Sequence, residues 1–425
     1  MSLDLAIVGG GVCGVIALHY ARRAGLNARV FERADGVGGL WRQLPAWQDI
    51  QISPLDWQLG ELPLHGTLQA DIVANIEAWV QHFGLADGIA LNTPVRHARR
   101  EDGLWVFETP QGTVRARHLM AASGGHNQPI VPALPRHSSR VRELHSSALR
   151  DPAVLRDAEV LVVGGGASAF DLLEQSFVHG ARKVHWAHRG LKWFLPTGKP
   201  KAVAGSVRGF ARMQGSGMTH DAQNAAMRAD MDARYSRFGI DAIRPPRPYD
   251  VRHDQLMTGR PLMLANFARI ARHAAPVAAI DGDAVTLGDG TVLRPDWLLW
   301  GTGYALDLSY FDDPAIASLK SIDALAARCG GFQSLDADHL YFPGLGLDGI
   351  GSATWAYALI CRSIASHIRG TAQLDRTPVP HKINHFDLVH YLAPRDPASF
   401  PGDWRTQYRS LALDTPDDQT YPIPE

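Results

Sequence analysis

An apolar run, a glycine cluster and an alanine-rich helical stretch occur twice in this chain. Leu5-Ala-Ile-Val-Gly-Gly-Gly-Val-Cys-Gly14 is echoed by Val160-Leu-Val-Val-Gly-Gly-Gly-Ala-Ser-Ala169. A continuous apolar run is the pattern of a strand buried on both faces. Glycines that follow it and lead into a helix open a βαβ unit. Two copies predict two dinucleotide-binding units, each a parallel sheet with crossover helices. At 425 residues the chain is too long for one hydrophobic core and suits two or three domains.

The first copy reads Gly9-x-Gly11-x-x-Gly14. Its first glycine makes the tight turn, the second lets backbone approach a pyrophosphate, and the third lets helix and strand pack closely. The helix N-terminus adds partial positive charge for phosphates. Glu32 ends the next strand pattern, Ala28-Arg-Val-Phe-Glu32, where a carboxylate accepts hydrogen bonds from a ribose diol. The alternative, a tight turn without a ligand, is disfavoured by strand, helix and acid standing in register. Downstream, Gly38-Gly39-Leu40-Trp41 is either an ordinary loop anchored by an aromatic or a lid on the pyrophosphate.

The second copy reads Gly164-x-Gly166-x-Ser168-Ala169, with alanine for the third glycine. Its next strand, Lys183-Val-His-Trp-Ala-His188, ends without a carboxylate and runs into Arg189, with Lys192 close behind. A carboxylate there repels a ribose 2′-phosphate, whereas a guanidinium binds it bidentately. The pattern favours NADPH over NADH; a solvated surface arginine is the alternative.

Between the copies the spacing predicts a helix around Ala70 to Phe83 and a hairpin, Trp105 to Thr109 and Thr113 to Arg117, turning at Pro110-Gln-Gly112. Ser206 to Arg247 is polar and helical in pattern, and Ala284 to Leu293 reads as another hairpin. A formal net charge of -1, with apolar residues at 45%, argues against a nucleic-acid partner. Cys13, Cys329 and Cys361 make no CxxC pair and no metal-ligand spacing. His381 and His385 stand four apart but lack a third ligand, so no metal is expected. A strand pattern begins at Leu3, which predicts no signal peptide, and the apolar stretch Ala353 to Cys361 is too short to span a bilayer. The expectation is a cytoplasmic protein with no membrane partner; the sequence leaves a homodimer open.

The chain resembles the class B flavoprotein monooxygenases over about residues 3 to 370. The resemblance rests on both glycine motifs, Gly38-Gly39-Leu40-Trp41, Ala122-Ser123-Gly124, Gly301-Thr302-Gly303-Tyr304, and Gly164-x-Gly166-x-Ser168-x-x-Asp171. It implies an α/β architecture of two Rossmann-like domains, the second inserted into the first. Residues 1–152 and 305–425 would bind FAD, and 153–304 NADPH. The FAD residues it implies are Gly9, Gly11, Gly14, Glu32, Gly39, Leu40, Trp41, Ser123 and Gly124. For NADPH they are Gly164, Gly166, Ser168, Ala169, Asp171, Arg189, Lys192 and Gly303.

In that family reduced flavin reacts with O2 at C4a, and the resulting (hydro)peroxide oxygenates the substrate. The implied activity is NADPH- and O2-dependent oxygenation of a nitrogen, or sulfur, of a small metabolite. Attack on a carbonyl substrate, or an oxidase or dehydrogenase without oxygen transfer, stays open. A disulfide reductase lacks its cysteine pair, and a non-catalytic nucleotide sensor would not oxidise NADPH steadily. The family fingerprint Phe-x-Gly-x-x-x-His is altered: with His145 as its histidine, Ser139, Val141 and Leu149 stand at its Phe, Gly and downstream aromatic positions. Ser53, Asp56 and Trp57 are the candidates to line the flavin pocket. The helix from about Ala353 to Ile368 would aim its N-terminus at the flavin pyrimidine.

Overall fold

The computed structural model describes residues 2–50, 54–57, 59, 62–196, 215–250, 254, 257–258, 260–344, 353–378, 383, 387–400 and 402–408. Among them, nine strands form a first sheet around Leu3–Val8. That strand runs parallel to Ala28–Phe31 on one side and Gly112–Ala121 on the other, with Leu5 opposite Ala28 and His118. Leu5, Ala6 and Ile7 have no exposed surface, because helices or strands cover both faces; this explains the unbroken apolar run. The helix Val12–Arg23 packs against the helix Ala353–Ile368, which returns from far along the chain. Gly112–Ala121 also carries an antiparallel meander, Leu104–Thr109 and then Arg96–Glu101. The predicted helix between the copies spans Gln69–His82.

A second, five-stranded parallel sheet has the order Ile270–His273, Lys183–Ala187, Glu159–Val163, Trp297–Trp300, Arg142–His145. Its alternate residues feed two cores. Val160 and Val162 face Phe170 and Leu173 of the helix Ala167–Val178 and Tyr235 of the helix His220–Arg237. Leu161 and Val163 face a small sheet that contributes Ile280, Val285 and Leu287. That small sheet contains the expected hairpin, Ala284–Leu287 with Val292–Leu293.

The chain leaves the first unit through Gln128–Pro129 and returns through Tyr304–Ala305, and these two short strands pair antiparallel. Arg136–His137 and Arg142–His145 already belong to the second unit's sheets. The outward crossing therefore falls near residue 130, ahead of the boundary at 152 expected from sequence. Strands of two and four residues, following Pro129, Pro132 and Pro135, carry too little periodicity to be read. Among the described residues of the polar stretch Ser206 to Arg247 a long helix spans His220–Arg237, and it starts where Thr219 Oγ1 accepts from the Ala222 N–H at 3.3 Å.

Candidate dinucleotide sites and the domain junction

The first glycine turn permits no side chain at Gly9 or Gly14. A Cβ on Gly9, whose φ is +108°, would lie 2.6 Å from the Ala122 carbonyl oxygen, and one on Gly14 would lie 1.9 Å from that of Gly9. Strand end, turn and helix start are thereby drawn together. Gly11 caps the helix without a side chain, leaving the first-turn N–H groups to meet an anion. Over this turn lies the second loop: the Gly38 N–H donates to the Gly10 carbonyl at 3.0 Å, and a Cβ on Gly39 would come 2.9 Å from Gly11 Cα.

Glu32 is only 5% exposed. Its Oε2 accepts from the Gly10 N–H at 2.5 Å and its Oε1 from the Ala34 N–H at 2.7 Å. A carboxylate offers about four acceptor sites, so roughly two remain for the hydroxyls of a ribose. A cavity of about 670 Å³ runs past this carboxylate. Arg33, the Pro94–His97 segment, Gly11, Gly39, Leu40, Trp41, Trp57 and Tyr357 also line it. Trp41 and Trp57 meet edge to face, their ring centres 5.8 Å apart.

Ser123 and Gly124 form part of the cavity's wall. Sequence reasoning missed two residues that hold this wall. Tyr310 OH lies 3.3 Å from Ser123 Oγ, and Asn127 Nδ2 donates to the carbonyls of Ser123 and Gly124 at 3.3 Å each. Burial raises the Tyr310 phenol well above its ordinary pKa, so it stays neutral. Both residues come from segments without a motif, and no sequence signal pointed to them. Ser53 lies outside the described residues. Asp56 sits in the short helix Pro54–Trp57, and its side chain also lies outside them. Trp57 alone of the three pocket candidates is placed on the cavity.

The second turn repeats the logic with different partners. A Cβ on Gly164 would lie 2.1 Å from the Gly301 carbonyl oxygen, and one on Gly165 would lie 1.9 Å from that of Gly190. Gly166 caps the helix that begins with Ala167, Ser168 and Ala169. Ala169 is fully buried where the first motif has Gly14, and the close approach survives because its neighbour is Gly301. Arg189 and Lys192 are exposed, and neither side chain has a hydrogen-bond or ion-pair partner among the described residues. The Lys192 backbone N–H donates to the Gly165 carbonyl at 3.1 Å, which holds this cationic loop against the turn.

Asp171 faces elsewhere. Its Oδ1 accepts from Arg260 Nε at 2.7 Å and its Oδ2 from Gln48 Nε2 at 2.9 Å. Gln48 belongs to the first unit, so this carboxylate ties the two units together. Beside it, Trp47 Nε1 donates to the Leu149 carbonyl at 2.5 Å. His145 joins the crossings: its Nε2 faces the Gly303 carbonyl at 3.0 Å, which requires the proton on Nε2. Its Nδ1 then accepts from the Ser147 N–H at 3.2 Å. Burial lowers the His145 pKa, opposed by the Gly303 bond, so the ring holds this neutral tautomer. Gly303, with φ +76°, also accepts from the Ile130 N–H at 3.0 Å. It serves the crossing itself.

Known proteins carry the same architecture. Residues 6–208 match the pyridine nucleotide-disulphide oxidoreductase family. The chain is 24% identical over 220 residues to senecionine N-oxygenase of Tyria jacobaeae, covering 45% of this chain and 48% of that protein. It is 26% identical over 197 residues to the flavin-containing monooxygenase ustF1 of Aspergillus flavus, covering 40% and 49%. Among solved structures, a flavin-containing monooxygenase from Stenotrophomonas maltophilia superposes with a TM-score of 0.63 at 18% identity, covering 87% of this chain and 98% of that one. A steroid monooxygenase bound to NADP superposes with a TM-score of 0.64 at 18% identity, covering 87% and 86%. The chain is thus similar to flavin-containing monooxygenases in sequence and shares the fold of solved flavin monooxygenases. The aligned part spans about half the length of the curated relatives above. The two-sheet fold, one Rossmann-like unit inserted in another, is that of these solved structures. No described helix is long and apolar enough to cross a membrane, and no described cluster of His, Cys, Asp or Glu could hold a metal. His381 and His385 lie outside the described residues.

Proposed function

We propose that this protein is an FAD-dependent monooxygenase that oxidises NADPH and transfers one oxygen atom of O2 to a nitrogen, or sulfur, of a small metabolite. The observation that carries the reading is the single cavity lined together by the glycine turn, Glu32, Trp41, Trp57 and Tyr357. Its shape and donors fit FAD. The turn meets the pyrophosphate with N–H groups, Glu32 keeps acceptor capacity for the ribose diol, and the aromatic lining suits the flavin ring. When bound, the flavin supplies the redox chemistry, taking a hydride and activating O2.

This chain's residues bind, orient and shelter. Gly9, Gly11 and Gly14 shape the turn, Gly39, Leu40 and Trp41 cover it, and Ser123 and Gly124 add to the wall. In the second unit Gly164, Gly166, Ser168 and Ala169 form the corresponding turn, and Arg189 and Lys192 supply unpaired positive charge for a 2′-phosphate. Asp171 and Gly303 act by holding the two units in register. The senecionine N-oxygenase relationship favours nitrogen as the accepting atom.

The test is oxygen incorporation. Holoenzyme supplied with NADPH, ¹⁸O₂ and a panel of small amines and thioethers is expected to give one product carrying a single ¹⁸O per NADPH consumed. NADPH consumption matched by hydrogen peroxide for every substrate would support the oxidase reading instead. Recovery of FMN, or of no flavin after reconstitution with FAD, would overturn both.

A further inference from the structure

The cysteines are spread widely along this chain, and folding brings two of them together. Cys13 stands in the first turn of the helix Val12–Arg23, inside the first glycine motif, and its half-buried side chain lines the cavity described above. Cys361 sits in the helix Ala353–Ile368 and is buried. The two helices pack against each other. Cys361 Sγ donates to the Cys13 carbonyl at 4.0 Å, across 348 residues of sequence, and the two thiols lie within hydrogen-bond reach of each other. Both are free thiols. No local spacing announces such a pair.

Their surroundings give the two sulfurs different duties. Cys13 is reached through the cavity, at a helix N-terminus whose first-turn N–H groups favour an anion. Burial pushes the Cys361 thiol well above its ordinary pKa and keeps it protonated, with Cys13 adding to the shift. A thiolate attacks an oxidant, whereas a buried thiol is inert toward it. Cys13 is therefore the sulfur that an oxidant meets first, and Cys361 the one that captures the product. Cys329 is the internal contrast. Burial pushes its thiol up to about 12, and it faces no second cysteine among the described residues.

We propose that Cys13 and Cys361 form a modification site, a thiol pair that hydrogen peroxide converts to a disulfide when the cavity is empty and that bound FAD shields. The shielding rests on the FAD reading above; the pair itself does not. The Cys13 thiolate attacks one peroxide oxygen, and the O–O bond breaks. Cys13 becomes a sulfenic acid, and the departing hydroxide takes up the proton of the Cys13 thiol as water. The Cys361 thiol then attacks the Cys13 sulfur and displaces its hydroxyl, which leaves with the Cys361 proton as a second water. Two thiols lose two hydrogens, and one peroxide is reduced to two waters. The peroxide need not come from the protein itself, and the test adds it. The bond staples the glycine turn to a helix 348 residues away, a long loop whose closure stiffens the unit while its cofactor is missing.

The test compares the FAD-loaded full chain with the same chain stripped of flavin, with circular dichroism as the fold control. Each is treated with hydrogen peroxide and mapped by mass spectrometry of unreduced peptides. The stripped protein is expected to yield a cross-linked peptide joining Cys13 to Cys361, while Cys329 stays a thiol. Bound FAD is expected to slow the cross-link about tenfold or more, because the rate of such chemistry follows access to the sulfur. Dithiothreitol should reverse it and lower the melting temperature of the cross-linked protein by several degrees. Cys361→Ser is expected to stop at a sulfenic acid on Cys13, trapped by dimedone. If that variant fails to fold, the parent's peptide map decides the pair. No oxidation of Cys13, its oxidation without a cross-link, or a cross-link through Cys329 overturns the pair. Equal rates with and without FAD, in a protein that titrates with FAD, overturn the shielding and leave the FAD reading standing. A protein that binds no FAD overturns that reading, and its peptide map still decides the pair.

Discussion

Replacing Glu32 by alanine separates the two duties of that carboxylate. In the protein itself it accepts two short backbone bonds, from Gly10 at 2.5 Å and Ala34 at 2.7 Å. Hydrogen bonds to a charged group contribute about 1.5–3 kcal/mol each, so their joint loss destabilises the turn by about 3–6 kcal/mol before relaxation. Solvent entering the emptied space will rehydrate one or both N–H groups, and the lower figure is the better expectation. The sheet should survive, because Leu5, Ile7 and Val30 are packed independently of the carboxylate. FAD should not be retained. Two ribose hydroxyls lose their acceptor, which at the same increment raises the Kd about a hundredfold or more. Glu32→Gln is the sharper variant, since its amide must turn an NH₂ toward either Gly10 or Ala34, setting donor against donor. It should rescue less than half of the loss despite its near-identical shape. The assay is FAD titration of apoprotein by flavin fluorescence, with far-ultraviolet circular dichroism as the fold control. An FAD Kd within about threefold of the parent for both variants would refute the assignment of Glu32 to the ribose.

Further outcomes are expected. Arg189→Ala should raise the KM for NADPH by about ten- to a hundredfold and leave that for NADH nearly unchanged, measured by steady-state NAD(P)H oxidation. Asp171→Asn should lower stability by about 3–5 kcal/mol in urea, because it leaves the buried Arg260 guanidinium facing a neutral amide. His19, packed against Trp79 and Phe83, is held by burial at a pKa of about 4, with Arg23 adding to the shift. A folded pKa below the unfolded value of about 6.5 means stability is full above pH 6.5 and falls as the pH drops toward 4. The loss reaches about 2 kcal/mol at pH 5. His19→Phe should accordingly flatten the decline in Tm between pH 7 and pH 5 in a thermal melt, and an unchanged decline would show that other groups carry it.

The motif-bearing parts of this fold were legible because their physics is local. Glycines with a fixed spacing, a strand before and a helix after state their own constraint, and the Cβ positions at Gly9 and Gly164 show how tightly it binds. The same holds for the meander at Leu104–Thr109, whose alternation and turn residues lie next to each other. What could not be read is made by distance. Tyr310 reaches Ser123 across nearly half the chain, and nothing near either residue announces the pair. The outward crossing was missed for a related reason. Arg136–His137 and Arg142–His145 gain their identity as strands from partners at Ile280 and Trp297, and their own sequences are short and mostly polar.

The second motif's alanine shows how such distant partners preserve a geometry that the local pattern alone would weaken. In the first turn the helix approaches its strand because Gly14 has no side chain. In the second, Ala169 restores a methyl group, and a looser packing follows if the motif is judged alone. The chain instead removes the side chain from the other surface: Gly301, at the end of the strand Trp297–Trp300, accepts Ala169 where a Cβ would lie 2.6 Å from Ala169 Cα. Gly301 also opens the return crossing, so one residue both restores the dinucleotide turn and starts the path back to the first unit. The crossing is then held at three points. His145 grips the Gly303 carbonyl, Trp47 the Leu149 carbonyl, and Asp171 draws Gln48 and Arg260 together. Each of these bonds links segments far apart in the chain. The proposed passage of electrons between two nucleotides on separate sheets needs those sheets kept in register, and these bonds link them.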